Sequence, residues 1–268
     1  YVQAMREVVI PPAWRNARRR LAPFVPLIGG AGLLALWQLA HFARIADPVL
    51  LPAPHEMFAA LWAGFVDGPM AFDFFQTVWR TTLSFAIAAA IGIPLGIVLG
   101  ASPSLYRSVE FVIDFFRSTP ASAVFPLFLV LFGVGDETKI YVASFGAVLV
   151  IVFNVAYGVM NARRTRILAA RSMGASRTRI MRDVIFYESL PQTFIGLRNG
   201  VSLALIIIIV AEMFIGSSDG LGHRLIEAQM LFDMPTMYAA IFAAGALGYG
   251  LNLLFLVVEK RFVHWGNK

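Results

Sequence analysis

The chain has 268 residues, of which 59% are hydrophobic and 14% are charged, whereas soluble domains carry roughly 25% charged residues. This composition excludes an ordinary soluble protein and indicates a membrane protein that crosses the bilayer several times. Fifteen of the 22 lysines and arginines, which produce the net charge of +6, fall in residues 1–20, 163–182 and 260–268, and such clustering fits membrane topology and lipid headgroups rather than nucleic-acid binding.

Six segments are apolar enough and long enough to cross a bilayer, which takes about 20 residues. In chain order they are residues 21–43, 81–106, 118–135, 140–162, 199–218 and 234–258. Pro94, Pro120 and Pro126 lie inside the second and third segments, where neighbouring helices can satisfy the freed backbone carbonyls. The sequence therefore predicts an all-α membrane protein with six transmembrane helices.

The arginines predict the orientation of these spans. Basic loops lie on the cytoplasmic side of a membrane, and six spans place residues 18–20, 163–182 and 259–261 together on that side. We therefore expect both termini in the cytoplasm. The first apolar run is long enough to span the bilayer, so we expect no cleavable signal peptide.

The same reasoning gives one membrane domain at residues 21–262, preceded by a basic cytoplasmic segment at 1–20 and followed by a cytoplasmic tail at 263–268. In the first outer loop, residues 55–65 are apolar at roughly helical spacing and predict a short interfacial helix. Before the third span, Asp114 and Arg117 lie three residues apart on one helix and are expected to pair.

Few polar residues lie within the predicted spans. Glu212 is the one acid well inside a span, so it could serve in gating or proton relay, or it could lie near the outer end and bond to a neighbouring helix. Arg80 and Arg198, at the ends of spans, could reach lipid headgroups or line a path for an anion. Asn154 and Ser202 more often bond between helices than contact a substrate. We name Asn154, Arg198, Ser202 and Glu212 as candidate residues of a translocation path or gate.

The segment at residues 162–190 carries seven arginines between two apolar spans. Its charge alone indicates a solvated loop, but the spacing of its small residues indicates an ordered structure. Those at 169, 170, 174 and 175 fit a short helix, a break and a second helix, and Ile180, Met181, Val184 and Ile185 recur at helical spacing that would pack them against the spans. The pattern predicts a docking surface for a cytoplasmic partner.

This segment resembles the cytoplasmic loop of binding-protein-dependent ABC importer permeases. The residues that carry the resemblance are Ala169, Ala170, Gly174 and the Leu-Pro pair at 190–191. The family pattern has Glu where this chain has Leu168, and a first Leu-Pro where it has Phe and Tyr at 186–187. Further stretches resemble permeases of the nitrate/sulfonate/taurine type, and these are residues 51–54, 126–139, 196–200 and 211–222.

The resemblance implies six transmembrane helices of the type I ABC importer permease kind, with an ATPase-coupling loop between spans four and five. It implies residence in the bacterial inner membrane beside two ATPase subunits that use ATP and magnesium, a second copy of the permease and an extracytoplasmic substrate-binding protein. The solute that it implies is an oxyanion such as nitrate, a sulfonate or taurine. The coupling residues that it implies are Leu168, Ala169, Ala170, Arg171, Gly174, Ala175, Ser176 and Arg177.

Two other classes of function compete with this interpretation. A secondary carrier working without an ATPase would need its own ion site near the midplane, and Glu212 is the one candidate. An intramembrane enzyme would need paired polar groups at one depth. The chain has no cysteine, its four histidines are scattered, and it has no phosphate-binding GxxxxGK[ST] loop. We therefore expect no catalytic residue, no metal site, no bound cofactor and no ATPase site in this chain.

Overall fold

The structure, a computed structural model, describes residues 25–263, with side chains from residue 28 onwards. The basic segment at 1–20, the first residues of the first predicted span and most of the predicted tail at 263–268 lie outside the described residues. The chain divides into two compact units, residues 1–59 and 60–268. The helices of the described part are α1 (Val25–Phe42), α2 (Pro54–Val66), α3 (Met70–Ala101), α4 (Pro103–Ser118), α5 (Phe125–Phe132), α6 (Asp136–Met160), α7 (Arg164–Ser172), α8 (Arg177–Phe214), α9 (Leu221–Met230) and α10 (Met234–Phe262).

In the first unit, the end of α1 is bonded to the chain that follows it. Trp37 Nε1 donates to the carbonyl of Pro52 at 3.0 Å, and His41 Nδ1 lies 2.8 Å from the carbonyl oxygen of Leu51. The predicted interfacial helix is confirmed as a helix, α2. Its start is capped by Glu56, whose carboxylate accepts from the backbone N–H of Ala53 at 2.8 Å, which satisfies a donor that the helix cannot pair itself.

Four helices of the second unit are long and apolar enough to cross a membrane, namely α3, α6, α8 and α10. A fifth span exists if α4 and the chain that follows it count as one, although this pair is bent by 94°. The bend lies at Thr119 and Pro120, and a 3-10 turn at Ala121–Val124 leads into α5. The all-α membrane fold is thus confirmed, while the number of six spans stays a prediction.

Both predicted boundaries of the second span were wrong, and so was the shape of the third span. The second span was expected at 81–106, but α3 begins eleven residues earlier at Met70 and ends at Ala101. It ends there because Pro103 disfavours the helical conformation of the residue before it. Ser102 instead caps α4, its hydroxyl accepting from the backbone N–H of Leu105 at 3.4 Å. The third predicted span is the bent pair described above rather than one straight helix.

Helix α6 is the centre of the second unit, and two thirds of its apolar 18-residue stretch is buried. It packs along α3 through a row of glycines four residues apart, Gly92, Gly96 and Gly100. A Cβ placed on Gly96 would lie 2.6 Å from Cβ of Val155, so only glycine permits this approach. On its other side α6 packs against α8, where Gly200 faces Ile151 in the same manner.

Helix α8 is a single helix of 38 residues that begins in the arginine-rich segment. It contains one π-helical turn, Met181–Ile185, and Pro191 lies inside it. Helix α10 is far less buried than α6. Only 6% of its apolar 18-residue stretch is buried within the chain. Its outward surface is therefore available to lipid or to another membrane helix.

Candidate functional site

The predicted helix, break and second helix of the arginine-rich segment are confirmed. Helix α7 ends at Ser172, and Gly174 follows in the left-handed conformation with φ +77°. The backbone N–H of Gly174 donates to the carbonyl of Arg171 at 3.0 Å, and that of Ala175 donates to the carbonyl of Ala170 at 3.0 Å. These two bonds form the Schellman motif that ends many helices, and a side chain at Gly174 would strain it.

The start of α8 closes the turn. The hydroxyl of Ser176 accepts from the backbone N–H of Arg179 at 3.3 Å and so caps the first turn of the helix. Ile180 is buried, while Met181, Val184 and Ile185 are half-buried. Ile180 and Val184 line a groove together with Ala170 and Met173 of the preceding helix and turn, and the packing of this apolar face against the spans stays a prediction.

The opposite surface of the turn is open and partly apolar. Met173 is 81% exposed and Leu168 is 50% exposed. The other predicted coupling residues are exposed too, except Ala170, which is buried, and Ala175, which is half-buried. Between α7 and the start of α8 lies a groove of about 270 Å³. A rigid turn with an exposed apolar surface and a groove is suited to seat against another protein.

Glu188, a residue of α8, forms ion pairs with two arginines of the arginine-rich segment. It was not among the residues predicted from the sequence. Its carboxylate is bonded by Arg166 and lies 3.9 Å from Nε of Arg163. The two arginines precede or begin α7, so these ion pairs join α7 to α8 across the turn. Two acids, Asp183 and Glu188, among seven arginines were a visible signal, but the partners of Glu188 could not be read from spacing.

A buried ion cluster lies at the start of α6 and the end of α8, away from the arginine-rich turn. We call it the Arg80 cluster, and it comprises Asp73, Thr77, Arg80, Asp136, Glu212, Asp219 and Arg224. Arg80 is only 2% exposed and lies at its centre. Its Nη1 bonds Oε1 of Glu212 at 2.8 Å, its Nη2 bonds Oδ1 of Asp136 at 2.8 Å, and it also donates to Asp219.

The expectation that Arg80 reaches headgroups or lines an anion path was therefore wrong. A guanidinium carries five N–H donors in a planar fork, and here three carboxylates surround it. Its Nε is the one guanidinium nitrogen without a partner among the described residues. Buried charges of this kind persist where each has an opposite charge beside it.

Glu212 makes the contacts of a structural acid. The hydroxyl of Thr77 on α3 lies 2.9 and 3.0 Å from its two carboxylate oxygens, and the backbone N–H of Gly222 donates to it at 3.0 Å. The loop between α8 and α9 passes so close that a Cβ on Gly220 would lie 2.3 Å from the Glu212 carboxyl carbon. This close approach explains the glycines that follow Asp219 in the sequence.

The cluster extends to the first turn of α9. Asp73 accepts from the backbone N–H of Gly220 at 2.9 Å and from Nε of Arg224 at 2.8 Å. On the α6 side, Lys139 donates to Asp136 at 3.0 Å and to the hydroxyl of Ser217 at 2.6 Å. Helices α3, α6, α8 and α9 are thus bonded together at one end.

The other predicted path residues do not converge on one site with Glu212. Asn154 accepts from Gln192 Nε2 at 2.9 Å and donates to the carbonyl of Val150, so its amide joins α6 to α8. The hydroxyl of Ser202 donates to the carbonyl of Arg198 at 3.1 Å, and both side chains are half-buried. A role of these residues in translocation stays a prediction.

Sequence reasoning missed most of the Arg80 cluster because it placed Arg80 at the edge of a span. Asp73 and Thr77 were thereby left in the outer loop, although α3 includes both. Hydropathy ends a span at a charge, but a charge with buried partners can be carried deep into a helix. Polar residues at intervals of three to four, residues 73, 77, 80 and 84, were the available signal of one polar helix face.

Long apolar helices around a buried central helix define a multi-pass α-helical membrane protein. The family described as "Binding-protein-dependent transport system inner membrane component" matches residues 92–264, more than half of the chain. The chain belongs to this family of ABC importer permeases. In these importers the permease is the membrane subunit, and the ATPase is a separate subunit.

Curated relatives agree with this assignment. A probable ABC transporter permease of Brucella melitensis is 31% identical over 81% of this chain and 88% of its own length. The taurine transport system permease TauC of Escherichia coli is 28% identical over 88% of this chain and 87% of its own. The nitrate import permease NrtB of Synechocystis is 25% identical over 89% of this chain and 88% of its own.

The fold is similar to that of a solved importer. A chain of the inward-facing MetNI methionine ABC transporter superposes with a TM-score of 0.64 at 21% identity. The match covers 72% of this chain and 95% of that chain. This likeness supports the type I importer permease fold.

Proposed function

We propose that the chain is the permease subunit of an ATP-driven importer that takes up a small oxyanion delivered by a substrate-binding protein. Relatives named as permeases for taurine, aliphatic sulfonates and nitrate support this solute class. In this proposal ATP and magnesium are used by the partner ATPase subunits. The permease supplies the path through the membrane.

The observation that carries the proposal is the arginine-rich turn. Its inner face is packed against α8, its outer face exposes Met173 and Leu168, and its shape depends on Gly174. The turn would seat in a recess of an ATPase subunit, so that closure of two ATPase subunits moves the start of α8. The coupling residues are those predicted at 168–171 and 174–177.

The remaining partners follow from the same arrangement. Two ATPase subunits would each hold one permease, and we propose that the second permease is another copy of this chain. The weakly covered helix α10 leaves apolar surface for that copy and for lipid. The protein would reside in the bacterial inner membrane with α7 and both termini in the cytoplasm and the Arg80 cluster at the outer side.

The alternative of an ion-coupled secondary carrier depends on a free acid within a span. Glu212 accepts from Thr77, Arg80 and the Gly222 backbone. A proton carrier needs an acid that exchanges its partners, so these contacts favour a structural acid and the importer.

The first test is purification of the tagged chain from its native membranes in mild detergent, with the bound proteins identified by mass spectrometry. We expect an ATPase subunit with a phosphate-binding loop in equal amount. A chain that purifies without an ATPase and still moves solute in liposomes would overturn the importer proposal and favour the secondary carrier.

The second test uses a matched pair of glycines. Gly174 and Gly133 have φ of +77° and +78°, and neither has an atom within 4 Å of where a Cβ would lie. Both variants place a side chain at a positive φ, and Gly133→Asp imposes the greater local strain, because the ψ of −172° at Gly133 belongs to a region that glycine alone adopts. We expect both variants to insert normally, but only Gly174→Asp to lose uptake while its ATPase still hydrolyses ATP. Normal uptake by Gly174→Asp would remove the coupling role from the turn.

A further inference from the structure

A cavity of about 360 Å³ lies beside the bend between α4 and α5, away from both sites described above. It is lined by side chains from four parts of the second unit, among them Phe116, Arg117, Thr119, Phe145, Leu149 and Leu203. Phe145 and Leu149 lie near the middle of α6, which places the cavity about halfway between the two ends of the spans. Its volume is near the lower limit for small-molecule sites.

Arg117 brings a charge to this depth. An ionisable residue within the membrane is a functional candidate by default, because burying it is costly. The side chain is 35% exposed, and its Cζ lies 3.8 Å from the centroid of the Phe153 ring, a cation–π contact that fixes the guanidinium.

Most donors of Arg117 remain free for a ligand. The predicted pair with Asp114 is confirmed, and it engages Nη1 alone, in one bond at 3.4 Å. Among the described residues, Nε and Nη2 of Arg117 have no partner. The hydroxyl of Thr119 donates to the carbonyl of Phe115 at 2.9 Å, so among the lining side chains Arg117 is the one with donors left for an anion.

The rest of the lining restricts the ligand further. Apart from Arg117 and Thr119, every residue that lines the cavity is apolar or glycine, and no Asp or Glu is among them. A small inorganic ion would lose its water there and gain one arginine in return. The lining itself offers no carboxylate to the ammonium group of a zwitterion, and the carboxylate of Asp114, 3.4 Å from Nη1 of Arg117, lies outside it.

We infer that this cavity is a translocation site for an organic monoanion with an apolar body, an alkyl or aryl sulfonate or carboxylate, whose acidic group binds Arg117. The inference rests on the proposed function and narrows its solute class. Secondary transporters bind their solutes beside broken helices near the midplane, and the bend and cavity of this chain have the same arrangement. The bend at Thr119 and Pro120 would serve to open one wall of the cavity.

The absence of cysteine from the chain allows a direct test in the purified permease–ATPase complex. A single cysteine is placed in the wall by Ala121→Cys. Its modification by an anionic ethylsulfonate methanethiosulfonate is compared with that by the cationic trimethylammonium reagent, measured by the mass of the chain. We expect the anionic reagent to react faster, and hexanesulfonate, but not nitrate or taurine, to slow it.

Three variants complete the test. Arg117→Gln should lower the anion-to-cation rate ratio about tenfold, the effect of losing one charge-assisted hydrogen bond. Arg117→Lys should largely restore it, and Arg107→Gln, at the start of the same helix, should leave it unchanged. A ratio that ignores Arg117→Gln, or equal protection by nitrate, would overturn the inference. Because the complex is isolated with its ATPase before labelling, such a result leaves the importer proposal standing, whereas loss of the ATPase would overturn the importer instead.

Discussion

Arg80 illustrates at the scale of one residue how a charge can be buried in a membrane protein. It lies among Glu212, Asp136 and Asp219, and it is 132 residues away from Glu212 in the sequence. Because the contact between Arg80 and Glu212 arises only when α3 packs against α8, no spacing rule could have paired the two residues. Glu212 is recognisable from the sequence as an unusual acid within a span, but its partner is not.

Replacing Arg80 by glutamine should destabilise the protein. The carboxylate of Glu212 would remain buried without its opposite charge, which costs about 3–5 kcal/mol. We expect the melting temperature in detergent, followed by size-exclusion chromatography, to fall by roughly 6–20 °C.

The control for this variant is Arg182→Gln. Arg182 also forms an ion pair, with Asp183 at 2.9 Å, but its side chain is 83% exposed, and exposed pairs contribute little. We expect no measurable change in melting temperature. Equal shifts for the two variants would show that Arg80 contributes no more than a surface charge.

At the scale of elements, the row of Gly92, Gly96 and Gly100 determines how closely α3 approaches α6. Four-residue spacing of small residues is a known signal of helix contact in membranes, so this contact could have been predicted from the sequence. The breaks at Pro103 and Pro120 also had visible signals. The 94° bend did not, because a proline fixes a local conformation and neighbouring helices set the angle.

Gly96→Ala should destabilise the α3–α6 contact. Its Cβ would lie 2.6 Å from the Val155 Cβ and 3.0 Å from the Val152 carbonyl oxygen, and overpacking of this kind costs about 1–3 kcal/mol. The matched variant is Gly250→Ala in α10, where no atom lies within 4 Å and alanine favours the helix by roughly 1 kcal/mol. Thermal unfolding of the two should shift in opposite directions, and a shift of the same sign would contradict the close packing.

At the scale of the whole molecule, composition and the arginine distribution were sufficient to predict a multi-pass helical membrane protein and its arginine-rich turn. Hydropathy could not predict where the spans begin, since Asp73 and Arg80 are buried by partners rather than exposed to water. The cavity beside Arg117 could not be predicted from the sequence either. It is formed by residues brought together from α4, α6 and α8.

The proposed orientation predicts opposite accessibility for two exposed serines. Ser172 ends α7, and Ser218 lies in the loop beside the Arg80 cluster. In the cysteine-free chain, Ser218→Cys should react with a membrane-impermeant maleimide in intact spheroplasts, and Ser172→Cys should react only after the membrane is opened. The reverse pattern would mean that the protein is inserted with α7 outside.

The continuity of α8 has a consequence for energetics. Its 38 residues extend up to about 57 Å, and its first turn belongs to the arginine-rich turn while Glu212, near its other end, belongs to the Arg80 cluster. In the proposed function, a displacement of the turn would be passed along this single helix to the Arg80 cluster. Thermodynamic linkage is reciprocal, so under the proposed function a protein bound at the outer face would change the nucleotide affinity of the ATPase by the same factor by which nucleotide changes the affinity for that protein.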